Sequence, residues 1–304
     1  MPAVSIILPT FNRADYLRET VASVFAQSWK DWELIVSDDG SDEATRALIQ
    51  TFGTDERVRI LWGTHSGIPA VARNAALRAA RGEYVAFLDA DDLWEPAKLA
   101  RQLERLRLEP SCKWCYTAFQ RVDEHGRLLA DESTRRFRPI AGQIFAAILQ
   151  GRASLRTPCV LAERQLVSSL GGFDESLLDC EDIDLWLRLA MIADVAVVDE
   201  LLVRVRISPS SFTGRRRHAR IDLIRVIEKL LSGAGPRWQG ILRRERAQHA
   251  VLLAREYAER GERTLMFRTL AAHFGHAWPY PRAWYGAMRA LLRSLLPHRS
   301  CEGQ

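Results

Sequence analysis

The sequence predicts an α/β protein, a mostly parallel, doubly wound sheet followed by a helical C-terminal extension. Three observations carry that prediction. Short β-branched runs alternate with segments of helical periodicity over residues 4–108. Acidic clusters stand directly after two of those runs, at Asp38-Asp39 and at Asp89-Ala-Asp91-Asp92. The composition then turns Arg-rich beyond Ser208-Pro-Ser-Ser211, a plausible domain boundary that divides the chain into residues 1–210 and 211–304. With 304 residues, 47% hydrophobic and 27% charged, the chain is ordinary globular material, which excludes wholesale disorder, collagen-like repeats and disulfide-stapled miniature folds.

The elements follow in order. Residues 4–8 form a continuous apolar strand closed by Pro9, and Asn12 is placed to cap a helix whose Leu17, Val21, Val24 and Phe25 recur at helical spacing. Strand 32–37, helix 44–52, strand 58–62, helix 70–80, strand 84–88 and a helix over 96–108 continue the alternation. It loosens beyond Glu109: a strand at 113–120, a turn at Glu124-His-Gly126, short helices at 144–149 and 164–169, a helix at 182–191 and a closing strand at 194–205. From Arg215 the pattern is helical, broken at Gly233-Ala-Gly-Pro236 and at Trp278-Pro-Tyr-Pro281. No internal repeat or low-complexity segment is present.

The net charge of +5 is unevenly placed. Residues 1–210 carry 25 Lys and Arg against 31 Asp and Glu, whereas 211–304 carry 18 against 7. Five of the seven histidines lie in that basic segment, so mild acidification makes it more positive still. Five cysteines, an odd number and scattered, read as reduced thiols of a cytoplasmic compartment, and Cys112-Lys-Trp-Cys115 lacks the second pair a zinc site needs. The opening residues read as a buried strand rather than a signal peptide, and no uncharged run reaches the roughly 18 residues of a membrane span. The expectation is a soluble or peripherally attached protein.

In open α/β sheets ligands bind beyond the carboxyl ends of the strands, where both acidic clusters fall. Two carboxylates one residue apart can share a hard cation whose remaining positions are filled by phosphate oxygens and water. The alternative is that Asp39 or Asp92 only caps the following helix. No Gly-rich dinucleotide fingerprint follows the first strand and no phosphate-binding P-loop is present, which weakens dehydrogenase and P-loop readings.

Five ordered motifs resemble the inverting glycosyltransferases of family 2, which have the GT-A fold, a Rossmann-like doubly wound sheet. They are Val4-Ser-Ile-Ile-Leu-Pro-Thr-Phe-Asn12; Trp32-Glu-Leu-Ile-Val36 with Asp38-Asp-Gly-Ser41; Ala72-Arg-Asn-Ala75; the run Gly82 to Trp94 with its Asp89-Ala-Asp91-Asp92; and Gly171-Gly-Phe-Asp-Glu175 with Glu181-Asp-Ile-Asp-Leu-Trp-Leu-Arg188. The resemblance covers roughly residues 3–205. It implies a metal-dependent, inverting transfer of a sugar from a nucleoside-diphosphate sugar, most often a UDP-sugar, to an acceptor hydroxyl in bacterial surface polysaccharide or glycolipid assembly. By the same resemblance, Pro9, Thr10, Asn12 and Asp39 line the nucleotide-base pocket and Arg73 approaches the base or diphosphate. Asp89 sits at ribose and metal, Asp91 binds Mg²⁺ or Mn²⁺, and Asp182 is the general base. Glu181 and Trp94 are placed on the acceptor side.

Each role has a plainer alternative. Glu181 and Asp182 can be first-turn acids favoured by the helix dipole. Arg73 can be a solvated helix residue, Asp38 a support for its turn, Asp184 a structural residue, and Trp94 and Trp186 core. Ala76 departs from the family's usual Gly, a matter of packing. The different-class alternative is a catalytically silent nucleotide-sugar-binding or scaffold protein, against which intact Asp91 and Asp182 argue. A nucleotidyltransferase would need a Gly- and Lys/Arg-rich loop where Pro9-Thr-Phe-Asn12 stands. No nucleic-acid module is recognisable in the basic segment. Its last stretch places Trp284, Met288, Leu291, Leu292 and Leu295 on one helical face, able to meet a membrane surface near a lipid-linked acceptor or to pack on protein.

Overall fold

A computed structural model describes residues 1–129, 139–207 and 219–277. Predictions that fall elsewhere, namely the 208–211 boundary, the break at 278–281 and the apolar face from Trp284 to Leu295, lie outside the described residues. The chain divides into two compact units, Met1–Arg216 and Arg217–Gln304.

In the first unit, β1 (Val4–Thr10), β2 (Trp32–Asp38), β3 (Val58–Trp62) and β4 (Tyr84–Phe87) alternate with α1 (Ala14–Phe25), α2 (Glu43–Phe52) and α3 (Pro69–Ala79). All four strands run parallel, in the order β3-β2-β1-β4. β1 and β2 are buried on both faces, as their unbroken apolar runs require of strands covered by helices on each side. Helix α1 buries Leu17, Thr20, Val21 and Val24 along one stripe, and α3, entered through Pro69, buries Ala70, Ala76 and Leu77.

The second half departs from the parallel expectation. β5 (Leu93–Trp94), α4 (Lys98–Leu108), β6 (Trp114–Val122), α5 (Phe145–Leu149), β7 (Val160–Glu163), α6 (Arg164–Ser169), α7 (Glu181–Ile192) and β8 (Val195–Arg206) follow. They extend the sheet to eight strands among the described residues, ordered β3-β2-β1-β4-β7-β6-β8-β5. β7 pairs antiparallel with β4 and β6, and β5 antiparallel with β8. Periodicity missed β5, which is two residues long, and β7, a four-residue strand. Trp186 lies in a core cluster, stacked on Trp114 at 6.4 Å and edge-on to Phe87 and Phe173 at 5.7 and 6.2 Å, which seats α7 against the sheet.

Asn12 does not cap α1. Its backbone sits at φ 49°, its side-chain oxygen accepts from the Asp42 N–H at 2.7 Å, and its own N–H donates to Ser41 Oγ at 3.0 Å. The residue ties the loop after β1 to the loop after β2. The helix begins instead at Arg13, with no side-chain cap.

The second unit comprises α8 (Ala219–Gly233), α9 (Pro236–Glu259) and α10 (Arg263–Ala277). Its core joins Ala247, Val251 and Ala254 to Met266 and Leu270, with a second cluster of Ile224, Ala250 and Leu253.

Candidate active site

Parallel pairing brings Thr10 level with Asp38, so the loops after β1, β2, β3 and β4 leave the sheet at one edge. The Asp39 N–H donates to the Thr10 carbonyl at 2.9 Å, and the Asp39 carboxylate turns toward the loop after β3. There it accepts from the Ser66 N–H at 2.9 Å, Ser66 Oγ at 2.8 Å and the Gly67 N–H at 3.0 Å, with His65 Nδ1 also at 3.0 Å. His65 stacks on Phe11 at 3.9 Å. Gly40 makes the close approach feasible: its φ is +78°, and a Cβ there would lie 2.6 Å from the His65 backbone N. Asp38 accepts from the Ser41 N–H and supports the turn.

At the next strand end, Arg73 is nearly buried and forks between two acids. One NH group donates to Asp89 Oδ1 at 2.7 Å and the other to Glu181 Oε1 at 2.6 Å. Burial alone would pull the guanidinium pKa down, but the two carboxylates more than reverse this and hold it above its ordinary value. Glu181 is pushed up by burial, partly drawn back by Arg73, and raised further by the charge of Asp182 beside it. Asn74, the next residue, exchanges two hydrogen bonds with the Phe173 backbone at 2.8 and 2.9 Å, which places the segment leading into α7.

The Asp89–Asp92 loop is pinned by Arg206, the last residue of β8. Its Nε donates to the Asp91 carbonyl at 2.9 Å, its N–H to Asp92 Oδ1 at 2.8 Å and its remaining nitrogens to the Glu124 carbonyl and Glu19, each at 2.7 Å. Burial and then the charge of Asp89 push the Asp91 carboxyl upward, and burial with Asp91 and Asp89 lifts Asp92 well above its usual range. This crowding of negative charge suits a hard cation. Among the described residues no three His, Cys, Asp or Glu side chains converge as a metal cage. Two carboxylates with free positions for phosphate oxygens match how Mg²⁺ is usually held, so Asp89 and Asp91 fit the ion.

On the far side, Cys180 adopts a left-handed conformation (φ 65°) and launches α7, whose first turn carries Glu181 and Asp182. Asp182 Oδ1 accepts from the Ile183 N–H at 2.8 Å, and Oδ2 faces Thr157 Oγ1 at 3.4 Å.

Pro9, Thr10, Asp39, Arg73, Asp89, Asp91, Glu181 and Asp182 all line one cavity of about 310 Å³. Asn12 and Trp94 do not. Trp94 is 3% exposed and donates its Nε1–H to the Pro158 carbonyl, so it is a core residue and not an acceptor contact. Glu181 is occupied as the counter-ion of Arg73. Asp184 is buried against Arg188. The cavity also takes in Phe11, His65, Arg156, Thr157 and Arg206, which the sequence reading missed. His65 and Arg206 follow or end strands, and the rule that sent attention to Asp39 and Asp91 could have reached them.

The fold is that of the GT-A glycosyltransferases. The chain superposes on the S. aureus TarS 1-349 structure in complex with UDP-GlcNAc with a TM-score of 0.75 at 18% identity, covering 96% of this chain and 89% of that one. Against the mannosyltransferase PcManGT from Pyrobaculum calidifontis, in complex with GDP-Man and Mn2+, the TM-score is 0.62 at 19% identity over 96% and 86% of the two chains. Residues 5–152 match the profile of Glycosyl transferase family 2, and the chain belongs to that family. The Bacillus subtilis (strain 168) protein TuaG, named for teichuronic acid biosynthesis, is 43% identical over 41% of this chain and 50% of its own length. WfgD of Escherichia coli, named as a UDP-Glc:alpha-D-GlcNAc-diphosphoundecaprenol beta-1,3-glucosyltransferase, is 28% identical over 70% of this chain and 80% of its own. The chain spans 50%, 34% and 37% of the length of the first three curated relatives.

Proposed function

We propose that the chain is a metal-dependent inverting glycosyltransferase that moves a sugar from a UDP-sugar to an acceptor hydroxyl in bacterial surface polysaccharide assembly. The supporting observation is that one cavity holds the Asp89–Asp91 pair, Asp39 and Asp182, groups suited to a cation, a nucleotide and a proton. Asp39 and the Phe11–His65 stack bound the end taken by the nucleoside. Asp89 and Asp91 would hold Mg²⁺ or Mn²⁺, which offsets charge on the departing diphosphate. Asp182 takes the acceptor hydroxyl proton as that oxygen attacks the anomeric carbon. A single displacement, with no enzyme-bound sugar, inverts the anomeric centre.

The name of WfgD and the complex of TarS with UDP-GlcNAc support a UDP-sugar donor, and the name of WfgD a lipid-diphosphate acceptor. Such an acceptor would be met at the inner face of the membrane. In this reading residues 1–210 are the catalytic domain and 211–304 an appended basic helical domain that meets the membrane surface. Among the described residues no helix is long and apolar enough to cross a membrane. Equal recovery from liposomes with and without residues 278–304 would refute the membrane contact.

A thermal-shift screen of nucleotide sugars with Mn²⁺ selects the donor, since preferential binding raises stability with affinity. With that donor, Asp182→Asn should lose about 10²–10⁴-fold in transfer, and Asp91→Ala should lose metal-dependent turnover. Undiminished turnover in both variants would refute the site.

A further inference from the structure

Behind the turn at Thr157–Cys159 lies a polar assembly inside the core. Lys98 Nζ donates to Gln102 Oε1 at 2.6 Å and sits 3.9 Å from the centre of the Trp94 ring. Gln102 Nε2 donates to the Cys159 carbonyl at 2.9 Å, and Trp94 Nε1 to the Pro158 carbonyl at 3.0 Å. Lys98 and Gln102 are fully buried. Burial holds the Lys98 ammonium down to about 7, and the neighbouring Cys115 and Cys159 thiols, pushed up to about 12 by burial, supply no counter-charge. Buried polar groups are costly unless hydrogen-bonded. Here the bonds converge on two successive carbonyls of a single turn.

The other side of that turn faces the cavity. Thr157 is 5% exposed, and its hydroxyl points at Asp182 Oδ2, the oxygen that the Ile183 N–H leaves free. The 3.4 Å separation is long for such a bond, in keeping with catalytic contacts that tighten once substrates arrive. With one carboxylate oxygen fixed by its own helix, a donor on the second sets the rotation of the group.

We propose that Thr157 is a positioning residue for the general base, aiming Asp182 at the acceptor hydroxyl, and that Trp94, Gln102 and Lys98 hold the turn that sets its reach. The inference rests on Asp182 being the base. Small misplacements of a catalytic group cost large factors in rate while leaving distant binding contacts intact.

Steady-state transfer by the full chain, with the donor selected above, tests it. Thr157→Val should lower kcat about tenfold or more, inside the roughly 10²–10⁴-fold that a positioned base contributes, with donor KM unchanged. Thr157→Ser, which restores the hydroxyl, should return kcat to near wild type. Trp94→Phe removes the indole N–H and should lower kcat in the same way but less; it carries the test if the valine variant fails to fold. A wild-type kcat in Thr157→Val, a matched rise in donor KM, or failure of serine to rescue would overturn the proposal. Asp182→Asn separates the two readings: if it is inactive while Thr157→Val is normal, only the role of Thr157 falls, and if it is fully active the base assignment falls first.

Discussion

The β3-β2-β1-β4 half of the sheet is parallel throughout, whereas the half made by β7, β6, β8 and β5 reverses direction at β7 and again at β5. The parallel half assembles its share of the site from short loops at successive strand ends. The Asp39 carboxylate finds its partners within 28 residues. The mixed half works over longer spans: Arg206 reaches back 115 residues to the Asp91 carbonyl and 187 to Glu19. Asp39 is thus held by neighbouring loops, whereas the Asp89–Asp92 loop and Glu181 are held by contacts distant in sequence.

Arg73 joins the two, so removing it should have the largest effect on folding. Arg73→Met leaves Glu181 buried and Asp89 partly buried without their cation and should destabilise the first unit by about 3–5 kcal/mol, read from denaturant unfolding. Retained stability would mean that the halves are joined by packing alone. Asp39→Asn touches only the parallel half. It should weaken donor binding by about 1.5–3 kcal/mol, the range for hydrogen bonds to a charged group, with kcat at saturation nearly unchanged. A fall in kcat with normal affinity would erase the division of labour. The smallest step, counted per pH unit, belongs to Lys98 in the mixed half. Its pKa is about 7 folded and near 10.5 unfolded, so between those values the unfolded chain binds the extra proton and stability rises with pH. Below about 7 the full burial cost is present. Relative to Lys98→Met, the wild type should gain up to about 1.4 kcal/mol per pH unit across that window, and parallel curves would show that Lys98 does not titrate there.

The parallel half was largely legible in the sequence. β-branched runs, helical stripes and acidic strand ends are local signals, and the acids they marked, Asp39, Asp89 and Asp91, line one cavity with Pro9 and Thr10, which the family resemblance added. Asn12 was misread because its side chain bonds across to Asp42 rather than along its own helix. The mixed half hid more. β5 is too short for periodicity, and Trp94 suits an acceptor contact or the core alike until Pro158, 64 residues on, takes its N–H. The pairing of Arg73 with Glu181 spans 108 residues. No spacing rule connects residues that far apart, so the counter-ion role of Glu181 emerges only from the folded chain.

The seam between the halves has a practical consequence. β4 and β7 meet over only three register pairs, Tyr84 with Glu163, Val85 with Ala162 and Ala86 with Leu161. That junction is a natural place to cut and splice relatives, exchanging one half while the other stays native. Strand register alone would not make such a hybrid work. The graft must also carry a carboxylate at position 181 for Arg73 to grip, or the recombined chain will bury a guanidinium with half of its counter-charge missing.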